Sequence, residues 1–324
     1  MSLTALLQSA SFAPITNLGW IKVTGSDRTR WLNGMVTNNI TALTPGQGCY
    51  NFVLSNQGRI QADLTAFPTE DAILLETDLT RIPALTALFD RFIIMDDVEL
   101  EDISPTRAGL TLIGPAALRP LLDLGLTPLA LLPLETSQIT WNGAEVTFIH
   151  AHSPLIPRFE LWSDPKTIAL LTAALEAANI PQAAEDDLEH LRLLEGTPLY
   201  GTDIRDKELP QETAQLRALH FSKGCYLGQE IVERINSRGA VHRTFAGFLL
   251  TGDLPPAGTP LTADEKPVGE ITSAARIPLP TGDIQLALGY IRREALDRAA
   301  TITYPGGTAI AVKLPTEAAR TQPA

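Results

Sequence analysis

The sequence is poor in cysteine: 324 residues carry two, Cys49 and Cys225. That excludes a disulfide framework, and it excludes a four-cysteine zinc or iron–sulfur site held within one chain. No run approaches the roughly 20 consecutive apolar residues that a membrane-crossing helix needs. The opening segment Met1–Pro14 has no basic stretch before its apolar residues, so a secretory signal is not expected and a cytoplasmic compartment fits best. Positive charge is also scarce. Lys and Arg number 25 against 37 Asp and Glu, a net charge of −12, which disfavours direct nucleic-acid binding because that affinity comes from basic surface. There is no internal repeat and no phosphate loop. Thr24-Gly25-Ser26-Asp27 follows a strand but lacks the spacing and the Lys-Ser/Thr ending.

What is present is an ordinary globular composition, 44% hydrophobic and 19% charged, in a chain longer than one compact core usually takes. The pattern predicts an α+β protein. Trp20–Thr24 reads as a strand, followed by a short helix carrying Trp31, Leu32 and Met35. Cys49–Ser55 and Arg59–Phe67 form a hairpin around Asn56-Gln57-Gly58. Ala72–Glu76 is a strand, a helix runs through Leu79, Ile82, Leu85 and Phe89, and Phe92–Leu100 is strand-like. A second α/β module follows, with Asn142-Gly143 as its hairpin turn and Asp164-Pro165 opening a helix. Residues 185–195 make an amphipathic helix ended by Gly196 and Pro198. After Val241, short apolar runs separated by Gly and Pro suggest a small antiparallel barrel. The expected domains are 1–108 plus 186–240, 109–185 and 241–316, with 317–324 as a tail.

Chemistry concentrates in the run Lys223-Gly224-Cys225-Tyr226-Leu227-Gly228-Gln229-Glu230. Leu227, Ile231 and Ile235 recur every fourth residue, as on a helix. Cys225 would then precede the helix N-terminus, where unpaired N–H groups and the Lys223 ammonium favour thiolate. The competing reading is a small buried cysteine beside a packing glycine. Cys49, on a strand, reads as core. Residues 215–245 hold Arg217, Lys223, Arg234, Arg238 and Arg243 against Glu230 and Glu233. This basic island suits a small anionic ligand or a protein contact, or else a solvated face with internal pairs such as Glu230 with Arg234. Glu195 stands in the last turn of its helix, where the dipole disfavours a carboxylate, and a residue set against local preference hints at function. Asp96 and Asp97, adjacent on a strand, would face opposite ways and read as structural or solvated. His150 and His152 share a strand face but have no third ligand at a recognisable spacing, so no metal site is expected.

Several stretches together resemble a known family. They are Leu193 to Ile204 (LLEGTPLYGTDI), Leu209-Pro210-Gln211-Glu212-Thr213 and the Lys223–Glu230 run, with Val23-Thr24-Gly25, Asp27, Asn33-Gly34, Val36-Thr37-Asn38, Gly58-Arg59-Ile60 and Gly269 to Ser273. The chain resembles the YgfZ-type folate-binding proteins, relatives of the T-protein (aminomethyltransferase) of the glycine cleavage system. The Lys223–Glu230 run is the specific piece, and the others are shared more widely with T-proteins. The resemblance implies a three-domain ring with a C-terminal barrel and tetrahydrofolate, or a derivative, in the central hole. It implies that Glu195 hydrogen-bonds the pterin, and it makes Tyr200, Arg234 and Arg238 candidate folate contacts. It puts the essential thiol at Cys225 with Lys223 as its basic neighbour, and Gly224, Tyr226, Gly228, Gln229 and Glu230 as the rest of the motif. The implied role is accessory: assembly or repair of iron–sulfur clusters, including those of tRNA-modifying enzymes, with client or assembly proteins as partners. The alternatives are a tetrahydrofolate-dependent aminomethyltransferase or a ligand-free interaction scaffold.

Overall fold

A computed structural model describes residues 3–128, 132–239, 241–298 and 300–316. The chain opens with α1 (Leu3–Gln8), β1 (Ser11–Ile15), β2 (Leu18–Thr24) and α2 (Arg28–Met35). Next come β3 (Cys49–Leu54), β4 (Ile60–Pro68), β5 (Ile73–Asp78), α3 (Ile82–Asp90) and β6 (Glu99–Asp102). The second module contains β7 (Ala108–Ile113), α4 (Leu118–Asp123), β8 (Thr136–Trp141), β9 (Ala144–His150), β10 (Arg158–Ser163) and α5 (Pro165–Ala177). Then follow α6 (Glu185–Glu195), α7 (Gln229–Arg238), β11 (Arg243–Gly252), β12 (Pro260–Ala263), β13 (Lys266–Ile277), β14 (Ile284–Arg292), α8 (Arg293–Asp297), β15 (Ile302–Tyr304) and β16 (Gly307–Val312).

The strands form two five-stranded sheets, ordered β3-β4-β5-β2-β6 and β1-β7-β10-β9-β8, and a closed barrel, β11-β14-β13-β12-β15-β16. All pairings within them are antiparallel. The α+β class and the C-terminal antiparallel barrel read from sequence are therefore present. The alternation along β4 shows how sequence sets the first sheet. Ile60, Ala62, Leu64 and Ala66 are buried, while Gln61, Asp63 and Thr65 are only partly so. Ala62, Leu64 and Ala66 pack on Leu32 and Met35 of α2 and on Leu85 and Phe89 of α3, while Ile60 packs with Leu54 and Ile204. Period two then turns Asp63 to the opposite face, where it lines a small cavity described below.

Two local details differ from the sequence reading. The strand expected over Phe92–Leu100 is confined to Glu99–Asp102. Before it, the Phe92 and Ile93 amides turn back onto the Phe89 and Asp90 carbonyls, and Ile94 and Met95 are 84% and 93% exposed. Asp96 pairs with Arg30 at 2.5 Å, and the Asp97 carboxylate accepts from the Ser26 amide and hydroxyl, both at 2.8 Å. These aspartates therefore tie the loop to α2 and form no acid–base pair. The second difference concerns β1. It lies in the second sheet, with Ser11 opposite Ile113, whereas the sequence reading grouped it with the first region.

The modules are joined by apolar packing and by buried carboxylates. Trp20 meets Trp162 edge-on at 5.1 Å between the two sheets. Leu191, Leu193 and Leu194 of α6 pack with α1 and with Phe245, Leu286 and Leu288 of the barrel. Asp203 is fully buried. It accepts from Arg192 at 2.6 Å, the Leu199 amide at 2.9 Å, Ser273 Oγ at 2.8 Å and Thr272 Oγ1. Glu212 takes Arg243 in a two-point fork, both bonds 3.0 Å, so the 209–213 segment is also bolted to β11. Among the described residues no helix is long and apolar enough to cross a membrane.

Candidate functional site

The three modules meet around a cleft of about 510 Å³, whose wall includes His152, Glu195, Arg217, Phe245 and Leu314. Glu195 is delivered there by the end of α6. Gly196 adopts φ +70°, closing the helix in the left-handed conformation that favours glycine. A Cβ at Gly196 would also lie 2.5 Å from Leu314 of the barrel. Glu195 is 7% exposed and accepts from Ser153 Oγ. Burial holds its carboxyl above the usual range, opposed by the Ser153 bond, the Arg158 charge and the Leu155 amide. His152 is pushed down to about 4, first by burial and then by Arg217, and is therefore neutral at physiological pH.

Arg217 lies with its guanidinium 4.1 Å from the Tyr50 ring centroid, a cation–π contact, and its Nε donates to Gln215 at 3.1 Å. Tyr50 in turn donates its hydroxyl to Asp63 at 2.6 Å. Burial holds the Asp63 carboxyl above its ordinary value, against the Tyr50 bond. Behind this pair lies a smaller cavity of about 130 Å³ lined by Tyr50, Asp63, Glu76, Asp78 and Tyr200 among others. The Arg217–Tyr50 pair stands between the two spaces, with Arg217 on the larger and Tyr50 on the smaller.

The thiol lies elsewhere on the surface. Cys225 is exposed and Cys49 is half-buried, with burial pushing the Cys49 thiol up to about 11. The helix after the thiol begins only at Gln229, with Gly228 as its cap at φ +81°. The intervening residues form a turn in which the Gln229 amide donates to the Tyr226 carbonyl at 3.2 Å. Cys225 thus stands on a loop ahead of α7, separated from Gln229 by Tyr226, Leu227 and Gly228. Lys223 is 9% exposed, and its ammonium donates to the carbonyls of Asn33 at 2.6 Å, Val36 at 2.7 Å and Asn38 at 2.5 Å.

Residues 2–223 match the family model of the GCVT N-terminal domain. The chain belongs to the GCVT family. Residues 238–320 match the CAF17 C-terminal β-barrel domain, so this GCVT-family chain carries a CAF17-type barrel, consistent with a YgfZ- or CAF17-type relative of aminomethyltransferase. Among curated relatives it is similar to a putative chloroplastic transferase of Arabidopsis thaliana, 25% identical over 89% of this chain and 67% of that protein. It is similar to aminomethyltransferases of Nostoc sp. (27%, covering 89% and 78%) and Geobacillus kaustophilus (28%, covering 88% and 80%). Its fold matches the glycine cleavage system aminomethyltransferase T from Bartonella henselae with a TM-score of 0.86 at 21% identity, covering 97% of this chain and 88% of that one.

Within this GCVT-family fold the expected site residues separate into groups. Glu195 is on the main cleft. Tyr200 is on the smaller cavity, its hydroxyl between the Gln61 carbonyl and the Asp206 carboxylate and its ring under Arg81 at 4.9 Å. Arg234 is exposed on α7 and does not line either space. The Arg238 side chain lies outside the described residues. Tyr226 is buried under the Lys223 ammonium at 5.0 Å, Gly224 is exposed with open space around it, and Glu230 is exposed in the first turn of α7. Gln229 accepts from the Tyr226 amide at 3.3 Å. Among the described residues no group of three His, Cys, Asp or Glu could hold a metal ion. His152, Tyr50, Asp63 and Arg217 were not singled out from sequence as ligand contacts. Arg217 could have been, as a member of the basic island, whereas Tyr50 and Asp63 carry no local signal.

Proposed function

We propose that the main cleft binds tetrahydrofolate or a close derivative, and that the chain is an accessory protein supporting iron–sulfur enzymes through the Cys225 thiol, tRNA-modifying ones included. The folate half rests on one juxtaposition: a buried carboxyl, Glu195, and a half-buried guanidinium, Arg217, on a cleft whose wall also includes the apolar Phe245 and Leu314 and the neutral polar His152, Gln215 and Thr244. That donor set fits the ligand. A flat heteroaromatic ring with amino and N–H donors suits the carboxylate by charge-assisted bonds, and an anionic tail suits the guanidinium, which fits carboxylates two-pronged. The GCVT-family relatives named as aminomethyltransferases support this reading.

Titration calorimetry tests it. Micromolar binding of tetrahydrofolate, about −8 kcal/mol, weakened by Glu195→Ala, is the expected result. No binding by folded wild type would leave a ligand-free scaffold. The thiol half rests on Cys225 being exposed while Cys49 is half-buried with its thiol pushed up. One motif thiol cannot hold a cluster in the usual four-cysteine manner, which leaves a transient thiolate contact with a client cluster or thiol exchange as the chemistry of Cys225. Cys225→Ala should leave stability nearly unchanged and abolish support of iron–sulfur enzymes in cells; full complementation would sink this half.

A second reading, aminomethyl transfer onto tetrahydrofolate, draws on the relatives' names and on Asp63, a buried carboxyl of raised pKa that could handle an amine's proton. Tetrahydrofolate-dependent ammonia release from an aminomethyl-lipoyl carrier distinguishes it.

A further inference from the structure

We infer that Lys223 is a positioning residue that clamps the thiol loop by capping the C-terminal end of α2, and that it does not activate Cys225. The argument starts at α2, which ends at Met35 with Val36 as its C-cap. The last carbonyls of a helix have no partner within it, and cations are favoured there. Lys223 supplies both needs from a distant part of the chain. Its ammonium takes the carbonyls of Asn33 and Val36 at the helix end and that of Asn38 just beyond. An ammonium has three N–H donors and no acceptor, so these three bonds leave none for a sulfur.

The surrounding bonds make the same clamp. The Leu227 amide donates to the Gly34 carbonyl at 3.0 Å and the His220 amide to the Thr37 carbonyl at 3.2 Å. Thr37 Oγ1 donates to the Ala218 carbonyl at 2.6 Å, and Asn38 Nδ2 to the Arg217 carbonyl at 2.9 Å. Residues 33–38 and 217–227 are thus laced together on both sides of Cys225. Between the Lys223 and Leu227 anchors, Tyr226 is turned inward and only Gly224 and Cys225 project. The clamp presents the thiol on a pre-set arch. Its consequence for iron–sulfur support rests on the reading of Cys225 given above, but the clamp itself does not.

The test compares Lys223→Met and Lys223→Gln with wild type in two measurements that need no client protein. Amide hydrogen exchange reads the arch and its partner at residues 33–38 and 218–228. Peptide-resolved iodoacetamide alkylation against pH reads the Cys225 thiol. Lys223→Met should lose protection in both segments by about tenfold or more, while the alkylation midpoint stays where it is. Lys223→Gln keeps an amide with two N–H donors but no charge. It should fold readily and retain part of the protection, again without a shifted midpoint. If Lys223→Gln raises the midpoint by about one pH unit, the tenfold change in thiolate fraction expected for a lost activating charge, and leaves exchange unaltered, the inference is overturned. That outcome would leave Cys225 as the reacting group. A Cys225→Ala variant that complements fully would defeat the functional reading and leave the clamp standing.

Discussion

Asp203→Ala should destabilise the protein by at least about 3 kcal/mol, and the figure follows from what the carboxylate touches. Removing one member of a buried ion pair costs about 3–5 kcal/mol because the other charge is left uncompensated. Asp203 is fully buried and Arg192, its partner at 2.6 Å, is 13% exposed at the side chain. Arg192 would not be abandoned, however. Its NH2 keeps Glu189 at 2.7 Å and Ser273 at 3.0 Å, and its NH1 keeps the Thr197 carbonyl at 2.8 Å. This places the loss at the lower end of that range. The Leu199 amide and the Thr272 and Ser273 hydroxyls also lose their acceptor, and orphaned buried donors cost about 1–3 kcal/mol each unless they find another. Thr272 has the Leu288 carbonyl at 3.2 Å as an alternative. Urea unfolding of wild type, Asp203→Ala, Arg192→Ala and the double variant gives the pairwise coupling, about 0.5–3 kcal/mol for contacting residues. Because Asp203 joins the 197–203 segment to the barrel beside Glu195, tetrahydrofolate affinity should fall with stability. A loss under about 1 kcal/mol in the single variant, with no coupling to Arg192, would refute the view that this carboxylate joins the modules.

Three further outcomes follow from the site. Glu195→Gln should flatten the pH dependence of stability: the folded-state pKa is raised by burial, so the folded protein holds the proton more tightly and stability falls as pH rises from the ordinary carboxylate value through the folded one. The difference between wild-type and variant unfolding free energies across that window measures it, and parallel profiles would contradict the burial argument. His152, pushed to about 4 mainly by burial and secondarily by Arg217, should titrate near there by NMR, and Arg217→Met should raise the midpoint only in part. Gly228→Ala should cost about 1–2 kcal/mol from the left-handed backbone alone, and more because its Cβ would lie 2.6 Å from the Ser55 carbonyl oxygen. Gly224→Ala, with nothing within 4 Å, should be close to neutral by the same denaturation assay.

The features legible in the sequence are those written in short-range pattern. Asn142 and Gly143 announce the β8–β9 hairpin, and both take positive φ, 51° and 82°, as a tight two-residue turn demands. Gly196 marks the end of α6, and the misfit of a glutamate in that last turn singles out Glu195 from sequence alone. What sequence could not show depends on long-range pairing. Nothing in Ser11–Ile15 says that its partner is β7, because the pairing of Ser11 with Ile113 joins segments far apart in the chain. The Phe92–Leu100 stretch has the composition of a strand, but Arg30, Ser26 and Asp27 hold its aspartates in a loop. Arg217, Tyr50 and Asp63 reach one another only through the packing of the 217–227 segment on the first sheet. Lys223 looked like the neighbour of a thiol in the chain, yet in space it answers to a helix end.

That last relation has a consequence for how the protein can vary. The acceptors of the Lys223 ammonium are main-chain oxygens, and every residue type carries one. With respect to the lysine, Val36 can be exchanged for almost anything without removing the bond, whereas an inserted or deleted residue between Asn33 and Asn38 would displace all three oxygens together. Across related sequences the lysine should therefore appear as a fixed position with no covarying side-chain partner, accompanied by a stretch constrained in length more than in composition.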